Sequence, residues 1–114
     1  MSNVGPELFS PVKIGPYELS NRIVMSPMTR SRSGPEGVPT TLIAHHYGQR
    51  ASAGLIVTEA AQVSLSGVGY PFTPGIHNDD QADGWKVVTD TVHSAGGRIF
   101  CQLFHAGRIS VPCL

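Results

Sequence analysis

The sequence lacks the features of several large classes of protein. Its 114 residues carry a formal net charge of zero, with Lys+Arg and Asp+Glu at 8 each. A balanced charge argues against a basic surface for nucleic acid or anionic membranes. No apolar run approaches the roughly 20 residues of a transmembrane helix, and the N-terminus lacks the pattern of a signal peptide. These absences predict a cytoplasmic protein with no nucleic-acid partner and no membrane partner.

Cysteine is also scarce. The two cysteines, Cys101 and Cys113, form no disulfide framework, and no grouping of His, Cys and Asp has the spacing of a zinc site. Cys101 falls inside an apolar run, where a buried free thiol is expected. We therefore predict no metal site and a reducing compartment.

What the sequence contains is an alternation of strand-like and helix-like segments. A β-hairpin is predicted at 8–20, with Gly15-Pro16 marking its turn. Strands are predicted at about 22–27, 55–59 and 98–104, and helices at about 40–53 and 80–95. Strands that alternate with helices indicate a parallel sheet built from right-handed crossovers.

The fold class predicted from this alternation is α/β, and within it a (β/α)₈ TIM barrel. No G-x-G-x-x-G motif follows the first strand, which disfavours a Rossmann site. A complete barrel needs roughly 200 to 250 residues. We therefore expect residues 1–114 to be the N-terminal segment of a single barrel: the hairpin, the first three strands and two helices, with the remaining strands absent from this chain.

Each predicted strand ends in polar or small residues. The motifs are SPMTR at 26–30, VTEA at 57–60 and QLFHAGR at 102–108. The carboxyl ends of parallel strands meet at one edge of a sheet, and ligands of α/β folds bind there. The long loop at 62–78, rich in Gly and Pro, is of a kind that is often functional.

Together these motifs resemble the old yellow enzyme family of FMN-dependent ene-reductases. The opening LFSPVKIG, the runs QRASAGLIVTEA and GYPFTPGIH, and QLFHAGRIS occur in the family's order and spacing across residues 8–112. The resemblance implies a barrel with FMN at the carboxyl ends of its strands and NADPH or NADH as reductant. It also implies activated alkenes as substrates: enones, enals, nitroalkenes and maleimides.

The resemblance assigns flavin contacts to Pro27, Met28, Thr29, Ala60 and Gln102. Thr29 would hydrogen-bond near the C4 carbonyl, as in the branch of the family that has threonine rather than cysteine there. A donor at that point stabilises charge on the reduced flavin and tunes its potential. Ala60 would approach the flavin edge through its backbone. The Gln102 amide both donates and accepts, which suits the pyrimidine edge.

The same resemblance assigns Thr29, Tyr70 and Phe104 to the substrate pocket. The family often has tryptophan where this chain has Phe104, so a larger pocket is expected. His105 and Arg108 belong to the third strand-end motif and are given structural roles.

No catalytic residue is assigned to this chain. The family's proton-donating tyrosine, its substrate-anchoring pair (two histidines, or histidine and asparagine) and its FMN phosphate site would lie outside these residues. We therefore expect the chain to act only with a complementary polypeptide that carries the rest of the barrel, or with a swapped copy of itself.

Two alternatives stay open at this point. The chain is either part of such a reductase or a non-catalytic half-barrel that self-associates and binds no flavin. Among reductases, another FMN barrel such as a dienoyl-CoA-type or nitrate-ester reductase also fits these motifs. Absence of flavin colour distinguishes the non-catalytic alternative.

Overall fold

The computed structural model describes residues 7–111, so Cys113 lies outside the described residues. An antiparallel hairpin comes first, made of β1 (Val12–Ile14) and β2 (Tyr17–Leu19). Three strands and two helices then alternate: β3 (Val24–Met25), α1 (Thr41–Gly48), β4 (Leu55–Gln62), α2 (Asp79–Ser94) and β5 (Ile99–Phe104). The three strands form one parallel sheet in chain order, β3-β4-β5. The observed element order is the one that the sequence predicts.

Both helices begin at a side-chain cap. The Thr40 hydroxyl accepts a hydrogen bond from the Ile43 N–H at 3.3 Å. The side-chain oxygen of Asn78 accepts one from the Gln81 N–H at 2.9 Å. Each cap satisfies a backbone donor that has no partner within the helix.

Strand β3 and helix α1 are shorter than predicted. The strand covers Val24–Met25 rather than 22–27, because only these two residues pair with β4 and Pro27 has no N–H to continue the ladder. Helix α1 ends at Gly48 rather than 53. Glycine is a poor helix former, and the chain beyond it runs through tight turns in which Ala51 N–H bonds to Gly48 O at 3.3 Å.

Strand β4 is longer than the predicted 55–59 and ends at Gln62. Residues 60–62 pair with 102–104 of β5, and Gln62 also bridges to Gly75 on its other side. These partners come from distant parts of the chain, so local composition does not reveal them. The bounds of helix α2 and strand β5 agree to within one residue with the predicted 80–95 and 98–104.

The core lies between the sheet and the two helices. Its members are mainly apolar side chains of α1, β4 and α2: Ile43, Ala44, Tyr47, Ala51, Ile56, Ala61, Trp85, Val88 and Val92. Of β5, Ile99 packs against this core. Cys101 is free and exposed, so the prediction of a buried thiol is wrong. Strand β5 lies at the edge of the sheet, and the helices cover mainly β4.

The hairpin closes the amino-terminal end of the sheet. The Tyr17 ring meets the Phe100 ring edge-on, with centroids 5.4 Å apart. The Arg98 guanidinium lies 5.5 Å from the Tyr17 ring centroid, and its Nε donates to Glu18 O at 2.9 Å. The opposite, carboxyl-terminal end of the strands is therefore the end left for a site.

Candidate functional site at the carboxyl ends of the strands

A β-bulge in β4 orients the residues near the carboxyl end of the sheet. Val57 pairs with Phe100 and Ala60 pairs with Gln102, so three steps along β4 match two along β5. A bulge of this kind reverses which face each later side chain occupies. As a result Ala61 joins Ile56 in the helix-facing core, and Ala60 faces the other side of the sheet.

The bulge places a small residue beside a polar one. Ala60 lies directly opposite Gln102 in the register. The Gln102 backbone N–H donates to the Thr58 hydroxyl at 3.1 Å, which replaces a ladder bond lost at the bulge. The side-chain amide of Gln102 is half-buried and forms no hydrogen bond within residues 7–111. The small side chain of Ala60 therefore lies beside the Gln102 amide, which has no hydrogen-bond partner within residues 7–111.

The other residues assigned to the flavin and the substrate lie at the same end. Pro27, Met28 and Thr29 lie one residue beyond the end of β3 and are exposed, Met28 by 65%. Phe104 pairs with Gln62 at the last position of the sheet. Tyr70 is exposed on the loop after β4. Their contacts with a ligand stay predictions.

Glu59 is a site-adjacent residue that the sequence analysis missed. It is 0% exposed and forms an ion pair with Arg30. The Tyr47 hydroxyl donates to Glu59 Oε2 at 2.9 Å and accepts from the Glu59 N–H at 2.8 Å. This network joins the residue after Thr29 to the residue before Ala60. A charged residue inside an otherwise apolar strand is the sequence signal for it.

The pKa of Tyr47 is raised inside this network. Burial, reinforced by the neighbouring Glu59 carboxylate, raises the pKa of Tyr47 to about 12 from 10.0. The buried pocket disfavours the phenolate, because a second negative charge beside Glu59 has no solvent to stabilise it.

The free energy of unfolding is expected to fall as the pH rises from about 10 to about 12. The unfolded chain releases the Tyr47 proton near the lower value, while the folded chain holds it until the higher one, so deprotonation favours unfolding. Urea unfolding across this range measures the effect. Tyr47→Phe, which keeps Tyr17 and Tyr70 as background, should show a shallower decline; an equal decline in both proteins contradicts the assignment.

Hydrogen bonds at Gly75 hold the base of the long loop after β4. Trp85 Nε1 donates to Gly75 O at 2.9 Å, and the Gly75 N–H donates to Gly37 O at 2.8 Å. An added Cβ at Gly75 would lie 2.6 Å from Gln81 Oε1, so a larger residue there would displace the Gln81 amide. The loop therefore has a fixed base, although its tip carries the exposed Tyr70.

His105 forms hydrogen bonds to nearby residues, and the structural role given to it stays a prediction. Its Nδ1 accepts from the Gly107 N–H at 2.9 Å, and its Nε2 lies 3.3 Å from the Ser66 Oγ. Within residues 7–111, no group of His, Cys, Asp and Glu side chains could hold a metal ion. None of the helices in this part of the chain has both the length and the apolar character needed to cross a membrane.

Comparison with protein families matches residues 7–111 to the NADH:flavin oxidoreductase / NADH oxidase family. The chain is 47% identical over 104 residues to 12-oxophytodienoate reductase 7 of Oryza sativa subsp. japonica, covering 90% of this chain and 26% of that protein. It is 44% identical over 105 residues to a probable flavin mononucleotide-dependent alkene reductase of Leishmania infantum, covering 92% and 29%.

Solved structures agree with these relatives. Morphinone reductase in complex with tetrahydroNAD superposes with a TM-score of 0.88 at 52% identity, covering 93% of this chain and 29% of that one. The old yellow enzyme from Trypanosoma cruzi gives a TM-score of 0.91 at 46% identity, covering 96% and 30%. The chain thus spans between about a quarter and a third of the length of these proteins.

Proposed function

Because the chain belongs to the NADH:flavin oxidoreductase / NADH oxidase family, we propose that it forms one side of the FMN site of an old yellow enzyme-type ene-reductase. The observation that carries this proposal is the pairing of Ala60 with Gln102 at the carboxyl end of the sheet, where the amide is unengaged within residues 7–111. The segment 27–29 lies at the same end of the neighbouring strand.

The residues present fit an isoalloxazine ring. Ala60 has a small side chain, which lets the edge of a flat ring approach its backbone. The Gln102 amide can donate and accept along an N–C=O edge, and the exposed Thr29 hydroxyl can donate to a carbonyl. The chemistry that FMN supplies when bound is transfer of a hydride from NADH or NADPH to the β-carbon of an activated alkene. These side chains hold and orient the ring, and Thr29 stabilises negative charge at the carbonyl.

The proposed substrates are enones, enals, nitroalkenes and maleimides. Support comes from the names of the relatives, which include 12-oxophytodienoate reductase, alkene reductase and morphinone reductase. The test is a visible absorption spectrum of the purified, desalted protein in complex with the complementary polypeptide, followed by assays with NADH and NADPH against 2-cyclohexenone and maleimide. Flavin bands with alkene-dependent oxidation of either nicotinamide support the proposal. A complex with the complementary polypeptide that stays colourless after FMN is added contradicts it.

Replacing Thr29 or Gln102 is expected to weaken the flavin site. Thr29→Ala removes a donor to the reduced flavin, a bond worth about 1.5–3 kcal/mol. At about 1.4 kcal/mol per 30 mV for two electrons, the reduction potential should fall by roughly 30–60 mV.

Gln102→Leu should weaken FMN binding about tenfold. Potentiometric titration and fluorescence titration with FMN measure these effects. The matched controls are Thr41→Ala, at an exposed position of α1, and Gln49→Leu, at the exposed residue that follows α1.

We further propose that strands corresponding to the rest of the relatives' barrel complete this site. The outer strands β3 and β5 leave sheet edges open. Large apolar side chains are exposed beside them, among them Val24, Met28 and Leu103. Size-exclusion chromatography with light scattering tests this proposal. A complex with the complementary polypeptide, or a dimer of swapped copies, supports it, whereas a flavin-loaded monomer of this chain alone contradicts it.

We also propose a cytoplasmic location for the protein, since Cys101 is a free thiol.

A further inference from the structure

A cavity of about 310 Å³ opens beside the carboxyl end of β4. It lies between the segment 35–37, the loop after β4 and the first turn of α2. Its apolar lining comes from the loop: Leu65, Val68, Tyr70 and Phe72. Its polar lining includes two glutamines, Gln62 and Gln81. The volume suits a compact ligand, since binding pockets for small molecules begin at about 300 Å³.

Gln62 has an unsatisfied side chain. It is only 1% exposed, and both amide atoms, Nε2 and Oε1, lack a hydrogen-bond partner within residues 7–111. Its backbone is fully used, since its N–H donates to Pro74 O at 3.1 Å and its carbonyl accepts from Ile76 N–H at 2.9 Å. A buried polar group without a partner costs about 1–3 kcal/mol. A rigid backbone therefore holds a whole amide that has one donor side and one acceptor side free.

No other fully buried amide side chain among residues 7–111 shares this property. Gln81, 2% exposed, donates to Glu36 O and accepts from the His77 N–H, both at 2.9 Å, so its amide has a structural role. The remaining buried atoms without a partner are single atoms of Arg30, His46 and Glu59. Arg30 and Glu59 are already engaged in their ion pair.

The free amide defines the chemistry of its ligand. Oε1 requires a donor and Nε2 requires an acceptor, and the two atoms lie side by side on one planar group. A group that presents N–H next to C=O satisfies both with a pair of parallel hydrogen bonds. Cyclic imides, lactams and primary carboxamides carry this arrangement, and a five-membered imide is compact enough for the cavity.

We propose that Gln62 is a specificity-determining residue that binds compact ligands with an N–H next to a C=O. Gln62 pairs with Phe104 in the sheet and shares the cavity lining with Tyr70. Phe104 and Tyr70 are two of the three residues assigned above to the substrate pocket. The inference deepens the proposed function, and rests on it where the ligand is taken as a substrate. The site should therefore prefer unsubstituted cyclic imides, such as maleimide, to N-alkylated imides as substrates.

The test uses succinimide, the saturated counterpart of maleimide, which needs no flavin chemistry to bind. Chemical-shift titration of the ¹⁵N-labelled protein should show binding about tenfold tighter for succinimide than for N-methylsuccinimide, which lacks the N–H. Gln62→Met should abolish this preference, whereas the exposed Gln49→Met should keep it. Equal affinity of the wild-type protein for the two ligands overturns the inference, and this comparison stands even where Gln62→Met fails to fold.

A second measurement separates this site from the reductase. The Michaelis constants for maleimide and N-methylmaleimide are compared in flavin-loaded wild-type protein and in Gln62→Met. A succinimide preference that depends on Gln62 in a protein without flavin or reductase activity supports the site and contradicts the proposed function. Flavin-dependent reduction with equal constants for both substrates, unchanged in the variant, supports the function and overturns the role of Gln62.

Discussion

Glu59→Ala is expected to lower the free energy of unfolding by about 3–5 kcal/mol, the usual cost of removing one partner of a buried ion pair. The substitution leaves Arg30 without its carboxylate and removes the acceptor of the Tyr47 hydroxyl. Since the Arg30 side chain is 22% exposed, water offsets part of the loss and places the effect toward the lower end. Urea unfolding monitored by circular dichroism measures it.

An exposed ion pair provides the matched control for this prediction. Lys86 and Asp90 form an i,i+4 pair on α2, with their Nζ and Oδ2 atoms 2.9 Å apart and their side chains 71% and 61% exposed. Lys86→Ala should change stability by no more than about 0.5 kcal/mol. Similar losses in Lys86→Ala and Glu59→Ala contradict a special role for the buried network.

Loss of Glu59 should also weaken FMN binding at the proposed flavin site. The network holds Arg30, which follows Thr29, and Glu59 itself precedes Ala60. Under conditions where Glu59→Gln remains folded, its FMN affinity should fall together with its stability, because the neutral amide no longer anchors Arg30. A folded Glu59→Gln protein with unchanged FMN affinity limits the network to a purely structural role.

Trp85→Ala is expected to cost about 3–5 kcal/mol, the range for truncating a buried tryptophan. The indole is 4% exposed and packs in the core with Tyr47, Val88 and Val92. Its Nε1 donates to Gly75 O, which fixes the base of the loop that lines the cavity. Thermal and urea unfolding measure the loss, and Val87→Ala, at an exposed position of the same helix, should stay within about 0.5 kcal/mol of wild type.

Trp85→Phe separates the packing of this side chain from its hydrogen bond. The ring is largely kept, but Gly75 O loses its partner, at a cost of about 1–3 kcal/mol. Hydrogen exchange at the Gly75 and Ile76 amides should accelerate in this variant, because the base of the loop opens more easily. Unchanged exchange at these amides contradicts an anchoring role for the indole.

The element order could be read from the sequence because it depends on local patterns. Alternation of apolar runs with helical periodicity predicted a parallel sheet and the start of both helices to within one residue. The three strand-end motifs predicted which end carries the site. Membership of the flavin oxidoreductase family, first inferred from these motifs, agrees with the match over residues 7–111.

Only the tertiary structure decided the points that depend on distant partners. The end of β4 at Gln62 requires Phe104 and Gly75, and the bulge that brings Ala60 opposite Gln102 requires the register of β5. Local sequence carries no information about register or about which side chain lacks a partner. The sequence by itself therefore determined the order of elements and predicted the end at which the site is proposed. Three-dimensional packing decided which faces its residues occupy, because pairing and burial arise only when separate segments meet.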